Sequence, residues 1–153
     1  MKNTQKGRSM VEMLGVLAII GVLSIGGIAG YTTSMNRYRA NQIMDAAAKV
    51  AVLAQTANQG QGGAVYAGAD TSCPEADYLG KAPTNSGISW ATLDGVAGMC
   101  AEANENSNIV KVTLTATPTT DGVVSALENI AGQSDSNAAA GYNGSNIIYV
   151  RSN

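Results

Sequence analysis

One uncharged stretch near the N-terminus dominates this chain: residues 13–31 read MLGVLAIIGVLSIGGIAGY. Nineteen residues of α-helix rise roughly 28 Å, which is close to the thickness of the hydrocarbon core of a bilayer. The apolar region of a secretory signal is usually only about 7–15 residues long. The stretch therefore predicts a helix that can lie in a membrane and that stays in the mature protein.

Basic residues on both sides of the stretch bear on its orientation. Lys2, Lys6 and Arg8 precede it, and a short basic flank stays on the cytoplasmic side of a membrane. Arg37 and Arg39 follow it and reduce the asymmetry. The flanks favour export of the rest of the chain.

The two cysteines, Cys73 and Cys100, would then lie in an oxidising compartment. A cysteine pair in a small exported domain is typical of a disulfide rather than of a redox dithiol. Closing a loop of this length stabilises a fold by roughly 3–4 kcal/mol in the chain-entropy description. We therefore predict a Cys73–Cys100 disulfide.

The composition argues against most catalytic and metal sites. The 153 residues include no histidine, which excludes a Ser-His-Asp triad and any histidine-ligated metal. Two cysteines cannot supply a Cys₄ zinc site. The net charge of -2 provides no cationic face for phosphates, so nucleic-acid binding is not expected. We expect neither an enzyme nor a bound cofactor or metal.

The carboxylates of the C-terminal region could in principle form two kinds of site. Asp94, Glu102 and Glu105 would be the candidates for a catalytic pair, and Asp121 with Asp135 for a calcium cluster. The last two lack the spacing of an EF-hand loop. These carboxylates are expected to be solvated surface residues.

The apolar pattern continues beyond residue 31 in amphipathic form. Apolar residues recur at three- to five-residue steps, mostly three or four, which indicates a helix with one buried face. No proline precedes Pro74, and Gly60, Gly62 and Gly63 give the first dense stop signal. The pattern predicts one helix over about 9–58, its N-terminal half outside the globular head and its C-terminal half covered by it. The predicted buried face is Met35, Tyr38, Ile43, Ala47, Val50, Ala54 and Ala57.

The remaining sequence predicts a small mixed head. Alternating β-branched residues predict strands at Ile109–Ala116 and Asn146–Arg151, and helical spacing predicts a short helix at Val123–Ala131. A further short helix is predicted at Leu93–Asn104 and a surface loop at Ser134–Gly144. The fold class is therefore α+β, a long helical spine packed on a small antiparallel-sheet head.

Four glycines lie in the second half of the apolar stretch: Gly21, Gly26, Gly27 and Gly30. Each weakens a helix by about 1 kcal/mol relative to alanine, so they predict a place where the spine can loosen. Gly26 and Gly30 also form a small-xxx-small pair of the kind that permits close contact between membrane helices. The alternative is that glycine is simply common in membrane helices.

Glu12 stands at the leading edge of the apolar stretch, with no other charge before Arg37. If the helices pack together away from water, this carboxylate becomes buried and requires a partner. A free α-amino group made by proteolysis a few residues upstream would be a suitable one. The alternative is that Glu12 is a residue of the membrane interface.

The N-terminal region resembles the class III leader and first helix of type IV pilins and related pseudopilins. Residues 6–12 read KGRSMVE. They combine a basic leader, a glycine before the cut, a hydroxyl residue second after it and a glutamate fifth after it, and an apolar helix follows. The resemblance covers about the first 55 residues. The sequence departs from the usual pattern at Arg8, where most pilins have Phe or Met.

The resemblance implies a cleavage by prepilin peptidase between Gly7 and Arg8, with N-methylation of Arg8. Glu12 would pair with the N-terminal amine of a neighbouring subunit during assembly. The implied organisation is a leader over 1–7, a spine helix over 8–58 with its membrane or filament core at 10–31, and a head over 59–153. The other implied partners are further copies of the chain in a helical filament and an inner-membrane assembly platform.

Three functions are compatible with these patterns. The first is a pilin, the major one by the resemblance, held in the bacterial inner membrane and then assembled into an extracellular pilus for adhesion, aggregation, motility or conjugative contact. The second is a pseudopilin of a type II secretion system. The third is a bitopic membrane-anchored binding protein. Many major pseudopilins have a calcium loop and no disulfide, so Cys73 and Cys100 favour the pilin.

Overall fold

The computed structural model describes residues 4–58, 63–68, 78–81, 87–103, 108–136 and 138–151. The chain divides into two units, Met1–Met35 and Asn36–Asn153, and the first helix contributes residues to both. A long helix followed by a sheet with one further helix confirms the predicted α+β class. The elements in chain order are α1 (Thr4–Asn58), β1 (Gly63–Gly68), β2 (Tyr78–Lys81), a short 3₁₀ helix (Trp90–Thr92), β3 (Gly98–Ala103), β4 (Ile109–Leu114), α2 (Asp121–Ala131), β5 (Gly141–Tyr142) and β6 (Ile147–Arg151).

Helix α1 runs without interruption from Thr4 to Asn58. It ends as predicted, just before the glycine cluster that begins at Gly60. It begins about five residues earlier than predicted, within the basic segment. No proline interrupts this part of the sequence, so nothing prevents the backbone hydrogen-bond ladder from extending in that direction.

The strands form one six-stranded sheet in the order β2-β1-β3-β4-β6-β5. All neighbouring pairs are antiparallel except β1 and β2, which are parallel. In the central register Val112 of β4 lies opposite Ala101 of β3 and Ile148 of β6. The predicted antiparallel head is confirmed, with β2 as a parallel strand at one edge.

The core of the second unit lies between the C-terminal part of α1 and one face of the sheet. Four residues of the predicted helix face, Ile43, Ala47, Val50 and Ala54, have no exposed surface. Tyr38 was predicted on this face but is 59% exposed. Small residues dominate the buried face of α1, so the helix backbone can approach the strands closely. Core residues contributed by the sheet include Met99, Ala101, Val110, Val112, Leu114 and Ile148.

The predicted strand at Ile109–Ala116 is confirmed as β4, the strand at Asn146–Arg151 as β6, and the helix at Val123–Ala131 as α2. The predicted helix at Leu93–Asn104 is wrong. A 3₁₀ turn precedes it, Asp94 and Gly95 have φ angles of 50° and 93°, and residues 98–103 form β3. Left-handed residues end a helix, and pairing with strands on both sides holds residues 98–103 in extended conformation.

The segment Ser134–Gly144, predicted as a surface loop, contains the short strand β5. Ser134 is buried, and its hydroxyl lies 3.0 Å from the Ser136 carbonyl oxygen and 2.7 Å from that of Ala139. Asn143 accepts hydrogen bonds from the backbone N–H groups of Ser145 and Ile147. These local bonds give the segment a defined conformation that composition alone does not indicate.

Candidate membrane and assembly segment

The first unit carries an unusual amount of exposed apolar surface. Every large apolar side chain between residues 10 and 31 is between 53% and 72% exposed. Soluble monomers rarely expose contiguous apolar surface of this extent. The helix is also long and apolar enough over this region to cross a membrane. The exposed side chains are Met10, Val11, Met13, Leu14, Val16, Leu17, Ile19, Ile20, Val22, Leu23, Ile25, Ile28 and Tyr31.

Three hydroxyl groups in and just after the segment are satisfied by the helix itself. The Ser24 hydroxyl donates to the Ile20 carbonyl oxygen at 2.8 Å. Thr32 and Thr33 both donate to the Ala29 carbonyl oxygen at 3.0 Å. In an apolar environment each unsatisfied polar group costs several kcal/mol, so these bonds make the segment compatible with lipid or with other helices.

The four predicted flexibility glycines, Gly21, Gly26, Gly27 and Gly30, all lie inside the regular helix α1. A Cβ atom built on any of them meets no other atom within 4 Å. No close approach within this chain therefore requires glycine at these positions. Their role in loosening the helix stays a prediction.

The predicted processing and assembly residues lie in the first turns of α1. Gly7 and Arg8 are helical, and the position of the Arg8 side chain is outside the description. Glu12 is exposed at the start of the apolar surface. Cleavage after Gly7, methylation of Arg8 and the pairing of Glu12 stay predictions.

Cys100 lies in β3, where it is opposite Thr113 of β4 and only 8% exposed. Its neighbours along the strand, Met99 and Ala101, point into the core, so Cys100 belongs to the other face of the sheet. The same face carries the ion pair of Lys111 with Glu102, at 3.6 Å. Cys73 lies outside the described residues, so the predicted disulfide stays a prediction.

Asp94 corrects the expectation that the carboxylates are solvated. Its side chain is only 5% exposed, and the Arg39 guanidinium lies 3.3 Å from its Oδ1. Thr120 donates to it twice, from the backbone N–H at 2.9 Å and from the hydroxyl at 2.8 Å. No local pattern in the sequence indicates this contact, although the Asp94-Gly95 dipeptide does indicate a turn with left-handed backbone.

The other candidate carboxylates form no metal cluster in the part of the chain that the structure describes. In that part no three residues among His, Cys, Asp and Glu lie close enough to hold an ion. Asp121 and Asp135 are exposed, and Glu102 is half-buried in its ion pair with Lys111. Glu105 lies outside the described residues.

A polar groove of about 200 Å³ lies in the second unit, between α1 and the segment before β3. Its rim carries the ion pair between Asp45 and Lys49, at 2.8 Å. Such pairs, four residues apart on a helix, are common on solvated surfaces and contribute little to stability. The groove has the features of a gap between two packed segments.

No protein-family model, curated protein or solved structure matches this chain. The resemblance to type IV pilins therefore rests on the N-terminal residues and on the shape of the fold, a long apolar N-terminal helix and a small antiparallel sheet packed on its C-terminal part. The fold is consistent with a pilin.

Proposed function

We propose that this chain is a structural subunit of a type IV pilus, which polymerises through the apolar part of α1 into an extracellular filament. The observation that carries the proposal is the exposed apolar surface of residues 10–31, with Glu12 at its leading edge. A membrane anchor needs such a surface but does not require a carboxylate at this position. A bundle of identical helices uses both.

The apolar surface favours two environments in turn. Burial of each large apolar side chain is worth about 1.5–3 kcal/mol, so the surface stabilises either insertion in lipid or packing against other copies. We propose that the subunit is stored in the bacterial inner membrane and then extracted into the filament core. The assembly platform and the prepilin peptidase are separate proteins.

Glu12 gives the assembly its register in this proposal. Cleavage between Gly7 and Arg8 creates a new α-amino group four residues before Glu12. When helices pack side by side, the carboxylate of one subunit and the amine of its neighbour leave water together. A buried charge is tolerated when it is paired and costs about 3–5 kcal/mol when its partner is missing. Misregistered subunits are therefore disfavoured.

The head requires no catalytic role in this proposal. We propose that it forms the outer surface of the filament, with its fold stabilised by a Cys73–Cys100 disulfide. Adhesion, aggregation, motility and conjugative contact are all compatible with a head of this composition, which is rich in Thr, Asn, Gly and Ala.

The test is the Glu12→Gln variant, expressed with a prepilin peptidase and a pilus assembly platform. We expect normal abundance in the membrane, normal processing and a loss of sheared filaments of at least about a hundredfold, because the neighbour's amine loses its buried partner. Asp121→Asn is the control, since it removes one exposed carboxylate from the head. Unchanged filament yield in Glu12→Gln would refute the proposal. Wild-type protein that is processed but stays in the envelope without forming filaments would instead indicate a pseudopilin.

A further inference from the structure

A polar cluster around the buried Asp94 side chain joins three separate segments of the second unit. Its centre is Asp94, in the turn between the 3₁₀ helix and β3. Arg39 reaches it from α1, and Thr119 and Thr120 reach it from the residues just before α2. We call these four residues the Asp94 latch.

The carboxylate of Asp94 accepts hydrogen bonds from α1 and from the residues just before α2. Oδ1 accepts from Thr120 Oγ1 at 2.8 Å, from Thr119 Oγ1 at 3.3 Å and from Arg39 Nη1 at 3.3 Å. Oδ2 accepts from the backbone N–H of Thr120 at 2.9 Å. Hydrogen bonds to an ionised acceptor are roughly twice as strong as neutral ones. The Asp94 side chain therefore provides much of the polar contact between α1 and the start of α2.

Thr120 shows that the latch takes precedence over local helix capping. It is the N-cap residue of α2, but its side chain makes no capping hydrogen bond. A threonine N-cap ordinarily accepts from an N–H of the first turn. Here its hydroxyl donates to Asp94 instead. The beginning of α2 is therefore secured by a tertiary contact in place of a local one.

The backbone is shaped for this contact. Asp94 has a φ of 50°, which is uncommon for a residue with a side chain, and its carbonyl oxygen accepts from the backbone N–H of Thr119 at 2.9 Å. Gly95 follows with a φ of 93°, and a Cβ atom there would lie 2.7 Å from Thr119 Cγ2. Such backbone conformations persist only when surrounding contacts hold them.

Beyond the latch, α2 is held by a short apolar face. Only Val123, Ala126 and Leu127 of its eleven residues are buried. Near its start, Gly122 lies against the end of the Asn36 side chain of α1, which would have to move to admit a Cβ atom. An eleven-residue helix has little stability of its own in water, so α2 depends on these tertiary contacts.

We propose that the Asp94 latch is a conformational device: its opening releases the first turns of α2 and the turn at residues 93–96 together, while β3, β4 and β6 stay packed on α1. This inference does not depend on the proposed function. Residues 36–39 are also the first residues of α1 in the second unit. In a filament, tension along α1 would therefore act on the latch before it acts on most other tertiary contacts of the head.

The test is amide hydrogen exchange followed by mass spectrometry on the full chain in detergent micelles. In Asp94→Asn we expect exchange at residues 121–124 and 93–96 to become about tenfold faster or more, because charge-assisted hydrogen bonds are lost. Exchange in β4 and β6 should change less than twofold. Asp121→Asn is the control, because it makes the same chemical change at an exposed carboxylate next to Thr120 without removing a latch contact.

Arg39→Gln provides a milder second variant, with Arg37→Gln as its control on the same helix. We expect the same peptides to respond to Arg39→Gln, by a smaller factor because Arg39 is partly exposed. Two outcomes overturn the inference. One is unchanged exchange at residues 121–124 in Asp94→Asn. The other is a uniform increase over the sheet and α2 in both latch variants, which would make the cluster part of a single cooperative unit.

Discussion

Replacing Ile43 with alanine should destabilise the second unit by about 3 kcal/mol. Ile43 lies on the buried face of α1, has no exposed surface and is among the largest fully buried side chains of the described residues. The change removes three carbon groups from the core, which is about 2.4 kcal/mol at about 0.8 kcal/mol each. The cavity that remains adds to this cost, and the better helix propensity of alanine offsets a few tenths of a kcal/mol.

The matched control is Val52→Ala, nine residues further along the same helix. Val52 is 58% exposed, so its truncation should change the free energy of unfolding by no more than about 0.5 kcal/mol. The comparison separates loss of core packing from any general effect of placing alanine in α1.

The assay is urea unfolding of the full chain in mild detergent, followed by the fluorescence of Trp90. This is the only tryptophan, and it is partly buried against the core. The urea midpoint of Ile43→Ala should fall while the slope of the transition is unchanged. A loss below about 1 kcal/mol, or equal losses in both variants, would refute the packing of this face of α1 on the sheet.

Three further predictions concern the head. Gly95→Ala should cost about 1–3 kcal/mol more than Gly87→Ala in urea unfolding, because both glycines have positive φ but only at Gly95 does the added methyl collide with a side chain. Burial, aided by the nearby Glu128 carboxylate, raises the pKa of Tyr142 above 10.0. The stability that the neutral hydroxyl contributes should therefore be present below pH 10 and should be lost as the pH rises through the raised pKa. The Tyr142→Phe variant should lack this loss. Reduction of the proposed Cys73–Cys100 disulfide should lower the free energy of unfolding by roughly 3–4 kcal/mol, and no change on reduction would contradict it.

The structure of the periodic segments could be predicted from the sequence because burial of one apolar face dominates each of them. The spacing of Ile43, Ala47, Val50 and Ala54 places them on one helix face, and all four are buried. The alternation in β4 predicts its burial in the same way, with Val110, Val112 and Leu114 inside.

Long-range pairing decided the elements that local pattern did not predict. Residues 98–103 belong to a segment predicted as a helix but form β3, because strands on both sides complete its hydrogen bonds. Tyr38 lies five residues before Ile43, which is about 140° around a helix that turns by roughly 100° per residue, so its side chain lies off the buried face and is exposed. The residues that contact Asp94, at positions 39 and 119–120, are too far from it in the sequence for a local pattern to indicate the contact.

The candidate assembly segment was predictable because its signal is local. An uncharged run of nineteen residues and one carboxylate at its edge need no tertiary information to be recognised. The structure adds that the large side chains are exposed and that the hydroxyls of Ser24, Thr32 and Thr33 are satisfied within the helix.

The most direct test of the pilin proposal is intact mass and N-terminal sequencing of protein sheared from the surface of cells that express the chain with a pilus assembly platform. The proposal predicts abundant filaments whose subunit begins at N-methylated Arg8 and is lighter by two hydrogens for the Cys73–Cys100 bond. A chain that still begins at Met1 and stays in the membrane would contradict it.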